Sequence, residues 1–302
     1  MSKQGEELVN VSISYGDYEV NLSMEWEPGY LIRRAVLKRG GETKEYKSFD
    51  EVLGNIDGEG RIVLSSHILW LLYNFNREMS QVKNEGMRLS DKISIWVDAL
   101  ENQRSPSLLA LAYNPGKTDV VVKMLNMFIE SLYEISEYLH ETVSRHCKRL
   151  SKFLKGLNMY KKNPRARELL YDVYSYWIAS DLRGRSLGEY RDYGLEEINK
   201  KLLKIANPFI KKRLIQISAD PFEKINFLAA INLRICDDVN LYISIVNSSI
   251  NLLEYVRDGL ADMDELSSAD VDKIYGILDD VADDLSKLVI NIKSLYMNLE
   301  PL

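Results

Sequence analysis

Residues 8 to 26 read LVNVSISYGDYEVNLSMEW, an alternation of apolar and polar side chains on either side of Gly16-Asp17. Period two puts every second side chain on one sheet face, and a Gly-Asp pair between two such runs suits a two-residue hairpin turn. Residues 8 to 15 and 18 to 26 are therefore expected to form paired antiparallel strands. A third run at 30 to 39 follows Pro28-Gly29, and Gly40-Gly41 offers another tight turn into a short strand at 42 to 47. Ser48 and Glu51 have the spacing of a capping box for a short helix, and 61 to 64 (RIVL) is expected to return as a further strand. A meander this small should pack against the helices that follow.

From about residue 66 the signals are helical. Ser90 and Thr118 are candidate N-caps, and Asn163-Pro164, Asn207-Pro208 and Asp220-Pro221 each set a capping residue before a proline at the first helical position. Helices are expected at 118 to 157, 164 to 180, 195 to 206, 208 to 218, 221 to 258 and 269 to 299. Such lengths suggest long antiparallel helices, and because no strict heptad persists, a bundle core is expected rather than a free coiled coil. The predicted fold is mainly α, with a small N-terminal antiparallel β meander (α+β) followed by a long-helix bundle. Residues 1–65 form the β-rich module and 66–302 the helical bundle domain. The irregular stretch 181 to 194 (DLRGRSLGEYRDYG) is read as an exposed functional loop or a connector.

At 302 residues, 46% hydrophobic and 28% charged, the chain has ordinary globular composition and enough length to bury a core. No window approaches the ~18 apolar residues of a membrane span, and Lys3, Glu6 and Glu7 flank no signal-like stretch, so a cytoplasmic protein without membrane contact is expected. Cys147 and Cys236 form no Cys-x-x-Cys pair and are read as buried small apolar residues rather than a disulfide framework or zinc site. Glutamine is confined to Gln4, Gln81, Gln103 and Gln216 while both charge signs are abundant, a leaning towards thermophile composition.

The net charge of −6 hides a strong asymmetry. Between Glu141 and Glu168 no acid occurs, yet the segment holds Arg145, Lys148, Arg149, Lys152, Lys155, Lys161, Lys162, Arg165 and Arg167. A second basic run holds Lys200, Lys201, Lys204, Lys211, Lys212 and Arg213, whereas Glu254 to Asp284 is strongly acidic. At 100° per residue, Arg145, Lys148, Arg149, Lys152 and Lys155 fall within an arc of about 120°. Leu139, Val143, Leu150, Leu154 and Leu157 lie opposite, so the cations are expected to face solvent. Tyr160, Tyr171 and Tyr174 add aromatic rings nearby, and Arg183, Arg185 and Arg191 alternate with Tyr190 and Tyr193 in the irregular stretch. Such a surface suits phosphate contacts without sequence readout. It equally suits a solvated face or docking against the acidic tail.

Other motifs have simpler readings. Pro115-Gly116-Lys117-Thr118 resembles the end of a phosphate-binding loop, but Leu111 stands where that loop needs its first glycine. Asp279-Asp280-Val281-Ala282-Asp283 has the spacing of a magnesium-diphosphate helix, yet a second such helix is missing around Asp237-Asp238, which leaves a solvated acidic face as the simpler reading. His140 and His146 do not share a helix face; His140 and Cys147 do, but two donors make a weak metal site, and His67 stands alone. The expectation is a non-catalytic nucleic-acid-binding subunit without cofactor, its site made of the nine cations above with Arg183 and Arg185. The alternative is a structural or assembly protein binding protein partners, or itself, through the β module and the acidic C-terminal helix.

Overall fold

The computed structural model describes residues 8–15, 17–113, 118–183, 221–261 and 267–296. Four strands, β1 (Leu8–Tyr15), β2 (Tyr18–Glu25), β3 (Leu31–Arg39) and β4 (Glu42–Tyr46), form one antiparallel sheet in chain order. The helices are α1 (Trp26–Gly29), α2 (Phe49–Gly54), α3 (Gly60–Tyr113), α4 (Thr118–Tyr138), α5 (Ser144–Met159), α6 (Pro164–Arg183), α7 (Pro221–Ala261) and α8 (Ser268–Tyr296). The fold is mainly α with an N-terminal meander, as the hydrophobic periods predict.

The first hairpin closes with Tyr15 opposite Tyr18, and the second turns at Gly40 and Gly41, whose φ angles of 54° and 94° fall in the left-handed region that only glycine adopts freely. Val20, Leu22, Met24, Ile32, Ala35, Leu37 and Tyr46 bury one face of the sheet. The alternation slips at Arg33, where Ser23 pairs Arg34 but Met24 pairs Ile32. This bulge lets Arg33 and Arg34 both remain exposed while Ile32 and Ala35 stay inside. Ser48 caps α2 by accepting from the Glu51 amide at 3.2 Å, and the Glu51 carboxylate accepts from the Lys47 amide at 2.6 Å, a capping box displaced by one residue.

Three expectations are corrected. RIVL at 61 to 64 is helix, not strand: Val63 and Leu64 begin an inward row that continues through His67, Ile68, Leu71, Leu72 and Phe75. Four apolar residues cannot reveal their own period, and the 3.6-residue repeat downstream decides it. Ser90 caps nothing, because it lies fully buried inside α3 among the inward residues Leu89, Ile93 and Trp96. Both cysteines are disulfide-bonded, with no free thiol in the chain. Pairing depends on tertiary approach of the sulfurs, which sequence spacing does not report.

The helix expected at 118 to 157 runs from Thr118 to Met159 and carries one π turn, at Leu139–Val143, between α4 and α5. Thr118, Pro164 and Pro221 do open helices. The glycine-lysine turn at 114–117 and the helices expected at 195 to 206 and 208 to 218 lie outside the described residues. Among the described residues no helix is long and apolar enough to cross a membrane.

The chain divides into two compact units: one takes Met1–Ser80 and the segment starting at Cys147, the other Gln81–His146 and the segment starting at Arg234. The second unit is a helical bundle built on Leu125, Leu132, Val246, Leu253, Leu278 and Leu285. Within it, Trp96 Nε1 donates to the Phe128 carbonyl at 3.1 Å, Ser136 Oγ donates to Asn247 Oδ1 at 2.9 Å, and Tyr133 Oη to Glu254 at 3.2 Å. In the first unit the sheet packs on helices, as a one-faced meander requires.

Candidate nucleic-acid interface

The basic segment begins on α5, whose inward side chains are Cys147, Leu150, Phe153 and Leu157. One 3-10 turn, Tyr160–Lys162, then leads to Asn163, which has extended backbone (φ −110°, ψ 123°). Asn163 Oδ1 accepts from the amides of Arg165 at 3.0 Å and Ala166 at 3.3 Å, so it caps α6 as the Asn-Pro pair predicts. The helix therefore presents the positive end of its dipole at this corner.

A buried histidine fixes the corner to the sheet. His67 Nδ1 lies 2.5 Å from Tyr160 Oη and Nε2 lies 2.9 Å from the Tyr30 carbonyl oxygen. A carbonyl only accepts, so Nε2 carries the proton and Nδ1 accepts from the tyrosine hydroxyl. Burial lowers the His67 pKa to about 4, opposed by the Tyr30 hydrogen bond, and burial raises that of Tyr160. Tyr30 has φ 58°, an uncommon conformation for a side chain of this size. Its ring stacks on Phe153 at 4.5 Å and meets Trp26 and Trp70 edge-on, each at 5.0 Å. The segment between β2 and β3 is thereby locked onto α3 and α5.

The nine cations do not form the uniform solvent-facing stripe of the helical wheel. Lys152 is mostly covered and pairs with Glu27; its pKa is lowered, first by burial and then by the charge of Lys155. Arg149 is half-buried, with Glu78 at 3.8 Å, and Glu78 itself is 2% exposed and also near Arg77 at 3.4 Å. Arg165 is 68% exposed while it pairs with Asp57 at 2.5 Å. Lys148, Lys155, Lys161, Lys162 and Arg167 are exposed in the same unit. Arg145 is also exposed but belongs to the second unit. Arg183 is the last residue of α6, and Arg185 lies outside the described residues, as do Arg191, Tyr190, Tyr193 and the basic run from Lys200 to Arg213.

Past the corner, Lys161, Lys162 and Arg167 line a depression of about 570 Å³ together with Glu168, Tyr171 and Asp172. Asp172 is engaged by Arg61 at 2.9 Å, which leaves the rim cationic in balance. Tyr171 is half-buried, but Tyr160 and Tyr174 are buried and present no ring for stacking. Glu168 closes the acid-free run of the sequence and Asp172 follows one turn later on α6, and only the folded helix brings both beside the cations.

Neither a family model nor any curated protein or solved structure matches this chain.

The remaining candidates acquire placements as well. Asp279, Asp280 and Asp283 are exposed on α8, and among the described residues no group of three His, Cys, Asp or Glu is arranged to hold a metal ion. Cys147 is engaged by its disulfide and is not free to act with His140 as a ligand pair.

Proposed function

We propose that this chain is a non-catalytic subunit that binds nucleic acid by contacts to the phosphate backbone, through the cationic corner between α5 and α6. The observation that carries this reading is the clustering of Lys161, Lys162 and Arg167 around one depression at the capped start of α6. Lys148, Lys155 and Arg165 extend exposed positive charge along the same unit. Phosphate contacts of this kind release counterions and carry no sequence information, which matches a surface built of flexible lysines rather than of a recognition helix with fixed polar forks. Half-buried Tyr171 gives the depression one aromatic wall.

The test is binding of labelled single- and double-stranded DNA and RNA across a salt series, with wild-type protein and a Lys161→Ala, Lys162→Ala, Arg167→Ala triple variant. Each lost phosphate contact should flatten the log-log salt slope by about 0.7–0.9, so the triple variant is expected to lose roughly 2–3 from the slope on every sequence. Absence of binding at low salt, or an unchanged slope in the variant, overturns the proposal.

A further inference from the structure

The two edges of the sheet are built differently. β4, ETKEY, carries Glu42, Lys44 and Glu45, the charged side chains that commonly keep an edge strand from pairing with other chains. β1, LVNVSISY, carries no charge and no proline over its eight residues, and no bulge interrupts its pairing with β2. Among the described residues β1 has β2 as its one neighbour.

The register says which backbone groups stay open. Because the hairpin closes at the Tyr15–Tyr18 pair, Val9, Val11 and Ile13 exchange hydrogen bonds with Met24, Leu22 and Val20. The N–H and C=O groups of Asn10, Ser12 and Ser14 therefore point away from the sheet, and their side chains are exposed. Val9, Val11 and Ile13 are half-buried whereas their cross-strand partners are fully buried, so the apolar face of the sheet is only partly covered at β1.

We propose that β1 pairs with β1 of a second copy of this chain, joining two sheets edge to edge in an antiparallel, two-fold arrangement. The strand is complementary to itself about Ser12. Turned around that point, Ser12 faces Ser12 of the second copy, Asn10 faces Ser14, and Val11 faces Ile13, so polar meets polar and apolar meets apolar. No like charges are opposed, and a two-fold contact closes without leaving an open strand to propagate. A contact of eight residues a side is small beside the ~1,600 Å² of a standard interface, so association depends on concentration. The inference is independent of nucleic-acid binding.

Analytical ultracentrifugation of the full-length chain from micromolar to millimolar concentration tests it, without nucleic acid and in high salt to screen charge-driven contacts. The weight-average mass should rise towards twice that of the monomer. Ser12→Pro removes an outward N–H without touching a bond to β2, so it should keep the wild-type melting transition and weaken association at least tenfold. Ser12→Lys, which sets two cations opposite each other at the two-fold, should do the same when it and wild type are compared at low salt, where that repulsion is unscreened, and decides the matter if the proline variant misfolds. A monomer at every concentration, or a dimer that survives both substitutions, overturns the proposal.

Discussion

Gly29 and Gly156 meet backbone to backbone: a Cβ on Gly29 would stand 2.7 Å from the Gly156 amide nitrogen, and one on Gly156 would stand 2.5 Å from the Gly29 carbonyl oxygen. The corner before β3 rests directly on α5 through this pair, beside the stacked rings of Tyr30 and Phe153.

Gly156→Ala should therefore destabilise the protein even though alanine is the better helix former. The propensity gain of about 1 kcal/mol is set against overpacking of about 1–3 kcal/mol, with an immovable carbonyl on the far side. Gly276→Ala is the matched contrast, since nothing lies within 4 Å of a Cβ there on α8. It should raise stability by about 0.5–1 kcal/mol. Denaturant midpoints of the two variants should move in opposite directions.

His67 should make the fold acid-sensitive. Its folded pKa of about 4 lies below the ordinary 6.5, so the fold favours the neutral ring and the unfolded chain takes up the proton first. The contribution is complete above about pH 6.5 and is lost as pH falls towards about 4, amounting to roughly 3 kcal/mol. Tyr160→Phe removes the donor to Nδ1 and leaves a buried acceptor unpaired, which should cost about 1–3 kcal/mol at neutral pH. Chemical denaturation from pH 4 to 8 reads both effects. A flat stability profile for wild type across that window would contradict this role for His67.

Cations that look alike in the sequence should separate in experiment. Arg149→Ala takes a counter-charge from Glu78, which is 2% exposed, and is expected to lower stability by about 1 kcal/mol with the salt slope of binding unchanged. Lys161→Ala should do the reverse, because its side chain is exposed at the rim of the depression. Paired thermal melts and salt titrations distinguish the two.

Asn163→Ala should cost about 1 kcal/mol through loss of the α6 cap, whereas Asn163→Asp should retain it. Its Oδ1 serves two amides at the start of α6, and an aspartate oxygen can accept from both. Thermal unfolding of the two variants checks the difference.

Local chemistry fixed the elements whose determinants are close in sequence. The alternation of LVNVSISY and YEVNLSME, the Gly40-Gly41 turn, the Ser48 box and the Asn163-Pro164 cap each depend on residues within a few positions of one another, and each stands in the structure where the pattern puts it. RIVL and Ser90 were misread for the complementary reason: a short apolar run and a lone serine have no period of their own, and the continuous inward row of α3 overrides both.

By itself, then, the sequence determined a mainly α fold with an N-terminal meander, and a chain whose positive and negative charges are segregated. Tertiary structure alone decided which charges remain on the surface. Lys152 and Arg149 are drawn to Glu27 and Glu78, residues from distant parts of the chain, while Lys161, Lys162 and Arg167 line a surface depression. The physical reason is that a helical wheel reports direction about one axis, whereas the burial of a charge depends on what other segments bring to that side. The same holds for His67, an isolated letter in the sequence that only the approach of Tyr30 and Tyr160 turns into the node holding sheet and helices together.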